Sequence, residues 1–264
     1  MTSTNALAGI TIAITRAVHQ ADKQRNLLET AGARVLHYPC IAIAPPRDPA
    51  PLDVALQQAA DGEFAWLIVT SSNTVDALAA RLHQLEIAAA KLAHLKIAAV
   101  GSASAQAIGE KLGLEVALVP EQFTAANLAE AMPAFAGERI LLPQSALAQP
   151  TLHAQLQAAG AQVTQVEAYR NVIASGGDPL PVLLWEGKVD AITFTSESTV
   201  RFFNKRLLHE QGALAMLHHV AVACIGPVTA QAATALGIEV AIIPAEHTLE
   251  GLTAALVEYF NGGA

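Results

Sequence analysis

Phe64-Ala65-Trp66-Leu67-Ile68-Val69-Thr70-Ser71-Ser72-Asn73 is answered 125 residues later by Val189-Asp190-Ala191-Ile192-Thr193-Phe194-Thr195-Ser196-Glu197-Ser198. In each stretch an apolar run of strand length ends in a Thr-Ser turn that opens a helical pattern. The same spacing relates Gly101 to Gly226, and it slips by one for Gly113 and Gly237, Pro120 and Pro244, and Thr124 and Thr248. Phe64–Leu128 and Val189–Leu252 are therefore two copies of one unit separated by a small indel.

A second, shorter repeat links Leu28-x-x-x-Gly32-Ala33-x-Val35 with Leu156-x-x-x-Gly160-Ala161-x-Val163, a helix end, a glycine cap and the next strand. The order is short, long, short, long. Apolar runs at Ala65–Val69, Ile97–Val100, Ile140–Leu142, Ala191–Phe194 and Val220–Ile225 alternate with helical patterns, which predicts parallel α/β sheets in a duplicated domain. The repeats alone leave open whether each short unit joins the long unit beside it or the distant one.

The 264 residues suit about two domains. A hydrophobic share of 53% against 14% charged offsets the entropy of ordering, so extended disorder is excluded. A net charge of −8 argues against nucleic acid and anionic membrane as partners. Val220–Ile238, the longest stretch without Asp, Glu, Lys, Arg or His, is broken by Gly226-Pro227 and reads as strand, turn and helix instead of a membrane span. Met1 to Ala8 has no Lys or Arg ahead of an apolar run, as a secretory leader would, and a cytoplasmic protein is expected. Cys40 and Cys224 stand alone in apolar surroundings and read as buried thiols, not nucleophiles. The nine histidines, His218-His219 included, show no ligand spacing, so no metal site is expected.

In open α/β sheets ligands gather at the carboxyl ends of strands, where the next helix points free N–H groups outward. The turns here read Thr15-Arg16, Thr70-Ser71-Ser72-Asn73, Gly101-Ser102-Ala103-Ser104, Pro143-Gln144-Ser145, Thr195-Ser196-Glu197-Ser198 and Gly226-Pro227-Val228-Thr229. Small hydroxyl residues can cap helices and nothing more. Six turns dressed alike point instead to N–H and O–H donors offered to an anion. None has Walker or GxGxxG spacing.

Thr15-Arg16, the two Thr-Ser turns, Ala99-Val100-Gly101, Ile225-Gly226-Pro227-x-Thr229, and Gly160-Ala161-x-Val163 leading to Tyr169 together resemble the uroporphyrinogen-III synthase family from about Ile10 to Leu256. The resemblance implies two similar flavodoxin- or Rossmann-like lobes with parallel sheets, joined by two extended linkers, with the active site in a cleft between them. One lobe would combine residues 1–38 and 170–264 and the other would span 39–169. It implies a cyclising hydro-lyase of porphyrin biosynthesis that closes hydroxymethylbilane to uroporphyrinogen III with inversion of ring D and loss of water. No cofactor is implied, and the enzyme would be a monomer, with at most transient contact with the preceding pathway enzyme.

On that reading Tyr169 is the acid or donor. Arg16, Ser71, Ser72, Asn73, Gly101, Ser102, Gln144, Ser145, Ser196, Ser198, Gly226 and Thr229 would bind substrate. Where the family often has Arg-Gly, this chain has Pro143-Gln144-Ser145, so no Arg contact carries over to that turn. The duplication by itself also admits a two-lobed small-molecule binding module of periplasmic-binding type.

Overall fold

The computed structural model describes residues 5–120, 128 and 137–262; Thr124 of the repeat lies outside them. The strands are β1 (Thr11–Ile14), β2 (Arg34–His37), β3 (Ile41–Ala44), β4 (Trp66–Val69), β5 (Lys96–Ala99), β6 (Arg139–Ser145), β7 (Gln162–Ile173), β8 (Ala191–Phe194) and β9 (Ala221–Cys224). The helices are α1 (Asp22–Thr30), α2 (Ala50–Ala60), α3 (Ser72–Gln84), α4 (Ser102–Leu112) and α5 (Thr151–Ala158). They continue with α6 (Leu180–Trp185), α7 (Glu197–His209), α8 (Pro227–Thr234) and α9 (Leu249–Asn261).

The chain divides into two compact units, Met1–Ala42 with Val172–Ala264, and Ile43–Asn171. The first has the sheet order β2-β1-β8-β9, extended past β9 by a parallel bridge between Ala223 and Ile242. The second has β3-β7-β6-β4-β5, extended past β5 by a parallel bridge between Ala98 and Leu118. If strands are counted from the short repeat, β3 aside, both sheets read 2-1-3-4-5, the flavodoxin order. In the second unit the first two positions come from β6 and β7, which follow β4 and β5 in the chain. The second unit is thus a circular permutation of the first.

Strands buried on both faces must be apolar throughout, and side-chain alternation sends neighbours to opposite layers. Leu67 and Val69 of β4 enter one core with Leu56, Leu78 and Ile108. Trp66 and Ile68 enter the other with Ile140, Leu142 and Leu156. In the first unit Ala13, Ile192 and Phe194 pack with Phe203 and Leu207. Ile12 and Ile14 pack on the opposite face with Leu28, Leu252 and Leu256.

The repeated Leu-x-x-x-Gly-Ala builds the same Schellman end twice. Ala33 N–H bonds Leu28 O at 3.0 Å and Ala161 N–H bonds Leu156 O at 3.1 Å. The glycines between take φ +96° at Gly32 and +92° at Gly160, a left-handed conformation that a Cβ disfavours.

One element differs from the sequence expectation. Pro143-Gln144-Ser145, read as a turn, belongs to β6, which runs on to Ser145. Pairing of β6 with β4 ends at Leu141, so the N–H that Pro143 lacks costs that ladder nothing.

Candidate functional site

Strand order reverses between β1 and β8 in the first unit and between β6 and β4 in the second. At such a switch point the flanking loops diverge to opposite faces and leave a crevice at the carboxyl ends. The turns lining the two crevices are Thr15-Arg16 with Ser196–Ser198, and Ser145 with Ser71–Asn73. Gly101-Ser102 and Gly226–Thr229 lie one strand further out, after β5 and β9.

In the second unit the site is built around a bulge. Gln144 pairs with Glu167, but Ser145 pairs with Tyr169, so β7 carries Ala168 as an extra residue. A bulge flips the facing of every residue after it, and it re-aims Tyr169. The Tyr169 side chain, 6% exposed, brings its Oη to 3.3 Å from Ser71 Oγ. Its ring borders an apolar cavity of about 230 Å³ lined also by Pro45, Pro46, Leu52 and Ala80. Tyr169 therefore both packs and presents a hydroxyl toward the β4 turn.

Ser71 caps α3 by accepting the Asn73 N–H at 3.0 Å, with Ser72 and Asn73 half-buried in the first turn. Ser145 Oγ accepts the Leu147 N–H at 3.2 Å. Gln144, on the strand, is buried, and its Oε1 has no hydrogen-bond partner.

In the first unit Ser196 caps α7, accepting the Thr199 N–H at 3.2 Å, and its Oγ lies 3.1 Å from Ser198 Oγ and 2.6 Å from Thr199 Oγ1. Thr15 turns inward and donates to Thr193 O at 2.7 Å. Arg16 follows it with Nε buried and unpartnered and only a long 3.4 Å contact from Nη2 to Gln20 Oε1. Burial holds the Arg16 guanidinium below its ordinary pKa, a cost that an anion would relieve.

Gly101 and Gly226 are the N-caps of α4 and α8, the first half-buried and the second buried. A Cβ on Gly226 would come within 3.2 Å of the His247 ring. Ser102 is exposed in the first turn of α4, whereas Thr229 is 5% exposed in that of α8.

At Ser71 and Ser145 the hydroxyl accepts an N–H and keeps its own proton to donate. Each helix start adds about 0.3–1 kcal/mol toward an anion, and charge-assisted bonds about 1.5–3 kcal/mol each. Donor geometry can thus hold a polyanion on a chain of net charge −8. What sequence reasoning missed is the Ser71–Tyr169 contact, which depends on the bulge, and Ala168 carries no signal of one.

Among the described residues no group of three or more His, Cys, Asp or Glu is placed to hold a metal ion, and no helix is long and apolar enough to cross a membrane. Cys40 and Cys224 are free and buried.

Residues 22–254 match the family model described as uroporphyrinogen-III synthase HemD. Uroporphyrinogen-III synthase of Synechococcus elongatus is 34% identical over 96% of this chain and 96% of its own length. That of Chlorobaculum parvum is 30% identical over 96% and 94%. Among solved structures, a mutant uroporphyrinogen III synthase from the extremely thermophilic bacterium Thermus thermophilus superposes with TM-score 0.65 at 21% identity, covering 97% of this chain and 100% of that one. The Helicobacter pylori protein gives 0.59 at 18%, covering 95% and 99%. These structural likenesses show a shared fold. The family matched is enzymatic, which sets aside the binding-module reading.

Proposed function

This chain belongs to the uroporphyrinogen-III synthase family, cyclising hydro-lyases of tetrapyrrole biosynthesis, and we propose that it closes hydroxymethylbilane with Tyr169 as proton donor. What carries the reading is similarity to a synthase along 96% of both chains, joined to a Tyr hydroxyl that the β7 bulge brings to a helix-capping turn.

The hydroxyl of the terminal hydroxymethyl group departs as water, and its methylene stays on the pyrrole. The pyrrole nitrogen pushes electrons toward the breaking C–O bond, and Tyr169 Oη supplies the proton that completes the water. The resulting azafulvene cation is attacked by the substituted carbon of ring D, and a spiro intermediate rearranges with that ring inverted. The proton lost as the ring regains its pyrrole form returns to the tyrosinate. No net proton is consumed, and one water is released.

Substrate carboxylates are bound by Arg16 and by the N–H and O–H donors of Ser72, Asn73, Gly101, Ser102, Ser145, Ser196, Ser198, Gly226 and Thr229. Gln144, already on its strand and short of a partner for Oε1, accepts a pyrrole N–H. Holding a bent chain in one reactive geometry contributes more than the single acid. The enzyme works as a monomer in the cytoplasm, a reading supported by its two unpaired thiols.

The test is incubation of the purified protein with hydroxymethylbilane and separation of the product isomers. Type III product above the uncatalysed rate is expected. Type I product alone, formed at the spontaneous rate, rejects the reading.

A further inference from the structure

Ser71 stands between a helix terminus and Tyr169. Its Oγ accepts the Asn73 N–H of α3 at 3.0 Å and lies 3.3 Å from Tyr169 Oη, 98 residues away in the chain. A serine hydroxyl carries one proton. Asn73 takes one of its two lone pairs, so in the contact with Tyr169 Ser71 can either donate its proton or accept. If Tyr169 received no proton from Ser71 it would have to donate its own, and none would remain for a departing hydroxyl.

We propose that Ser71 is a positioning residue for the cyclisation, donating to Tyr169 Oη so that the tyrosine O–H turns away from the turn and toward the leaving oxygen. This rests on the reading of Tyr169 as proton donor. Asn73 N–H, Ser71 O–H and Tyr169 O–H form one chain of donors, each polarised by the one behind it, and the chain starts at the positive end of α3. Ser71 keeps its O–H bond throughout, and the proton that leaves is that of Tyr169. At 3.3 Å the contact is longer than the usual 2.5–3.0 Å or so, as catalytic hydrogen bonds often are before substrate tightens them.

The duplication supplies an internal comparison. Ser196 holds the equivalent position and makes the same kind of cap, but its Oγ pairs at 2.6 Å with Thr199 Oγ1 of its own helix. The cap in the first unit spends its hydroxyl locally, whereas the one in the second reaches across to β7. A capping role common to both copies does not explain that difference, and the Ala168 bulge that brings Tyr169 opposite Ser145 does.

The deciding variant is Ser71→Gly, because glycine is a tolerated N-cap that brings neither hydroxyl nor charge. Its expected signature is a melting temperature close to that of the wild type, a kcat lowered at least tenfold and a KM within about threefold. Ser71→Thr, which retains cap and proton, restores kcat. In a Tyr169→Phe background Ser71→Gly has no further effect on kcat. Wild-type kcat in Ser71→Gly overturns the proposal, and so does a full additional loss in the Tyr169→Phe background, which would put Ser71 on the substrate directly. Should Tyr169→Phe itself turn over at the wild-type rate, the proton-donor reading fails first and independently.

Discussion

Tyr169→Phe deletes one hydroxyl from a buried side chain that lines a cavity shared with Pro45, Pro46 and Leu52. Loss of a general acid lowers turnover about 10²–10⁴-fold, while loss of one neutral hydrogen bond costs about 1 kcal/mol of stability. Kinetics with hydroxymethylbilane beside a thermal melt should separate the two, and equal turnover would withdraw the role. Thr229→Ala should weaken substrate handling by about 1–3 kcal/mol in kcat/KM if the buried hydroxyl serves as a donor. A changed melting temperature with unchanged kcat/KM would mark it as a helix-start residue only. The thiols answer to a different variable. Burial pushes Cys224 up to about 12, and raises Cys40 with it. A folded-state pKa above the unfolded value of about 8.5 gives stability that is whole below that pH and is lost as pH climbs toward 12. The loss is at most about 1.4 kcal/mol per pH unit for each thiol. Denaturant midpoints should therefore fall from pH 8.5 upward, and a thiol reagent at pH 8 should label neither cysteine until the protein unfolds.

Arg206 of α7 is 3% exposed and ties two segments of the first unit, donating to Pro39 O and, at 2.7 Å, to Gly176 O. Its Nε meets Glu210 Oε1 at 2.8 Å, Tyr38 Oη donates to Glu210 Oε2 at 2.8 Å, and the guanidinium sits 3.8 Å from the Tyr38 ring centre. Removing one partner of a buried pair costs about 3–5 kcal/mol, and Glu210 is one-third exposed, so Arg206→Met should cost about 3 kcal/mol in a denaturant titration. Next to it Asp178 binds His37 through backbone and carboxylate, and Gly177 at φ +76° lies close against the His37 backbone. A Cβ there would fall 2.2 Å from His37 O, so Gly177→Ala should destabilise by more than the roughly 1–3 kcal/mol of backbone strain alone. The bonds from Arg206 to Pro39 O and Gly176 O were not legible in the sequence, since every residue carries a carbonyl, whereas the Glu210 pair stands at i,i+4 spacing. The turns were legible because Ser71 and Ser196 follow apolar strands at capping positions, a local rule needing no tertiary knowledge. The end of β6 was not, because Pro143 reads as a terminator unless the early end of the β4 pairing is known.

At the scale of the whole chain, the repeat displayed two copies of each piece but not their pairing, because identical pieces fit either partner equally well by pattern. Burial decides it. Leu7, Ile12, Ile14 and Leu28 from the beginning share one core with Ile242, Leu252 and Leu256 from the end, and α1 packs beside α9. Neither segment can cover that face of the sheet alone, because β1 sits between β2 and β8 and supplies both apolar layers. The second unit, Ile43–Asn171, is one continuous stretch with its own two cores. Order of synthesis then matters, since the first unit must wait for its last strands while the second can close earlier. A fragment of residues 43–171 should melt cooperatively by circular dichroism, whereas 172–264 alone should show no transition. Adding 1–42 in trans should restore one, because the missing strand pair and α1 return the apolar surface that α9 needs. A cooperative transition in isolated 172–264 would show that β8, β9 and their helices bury enough surface by themselves, and would remove burial as the reason for the pairing.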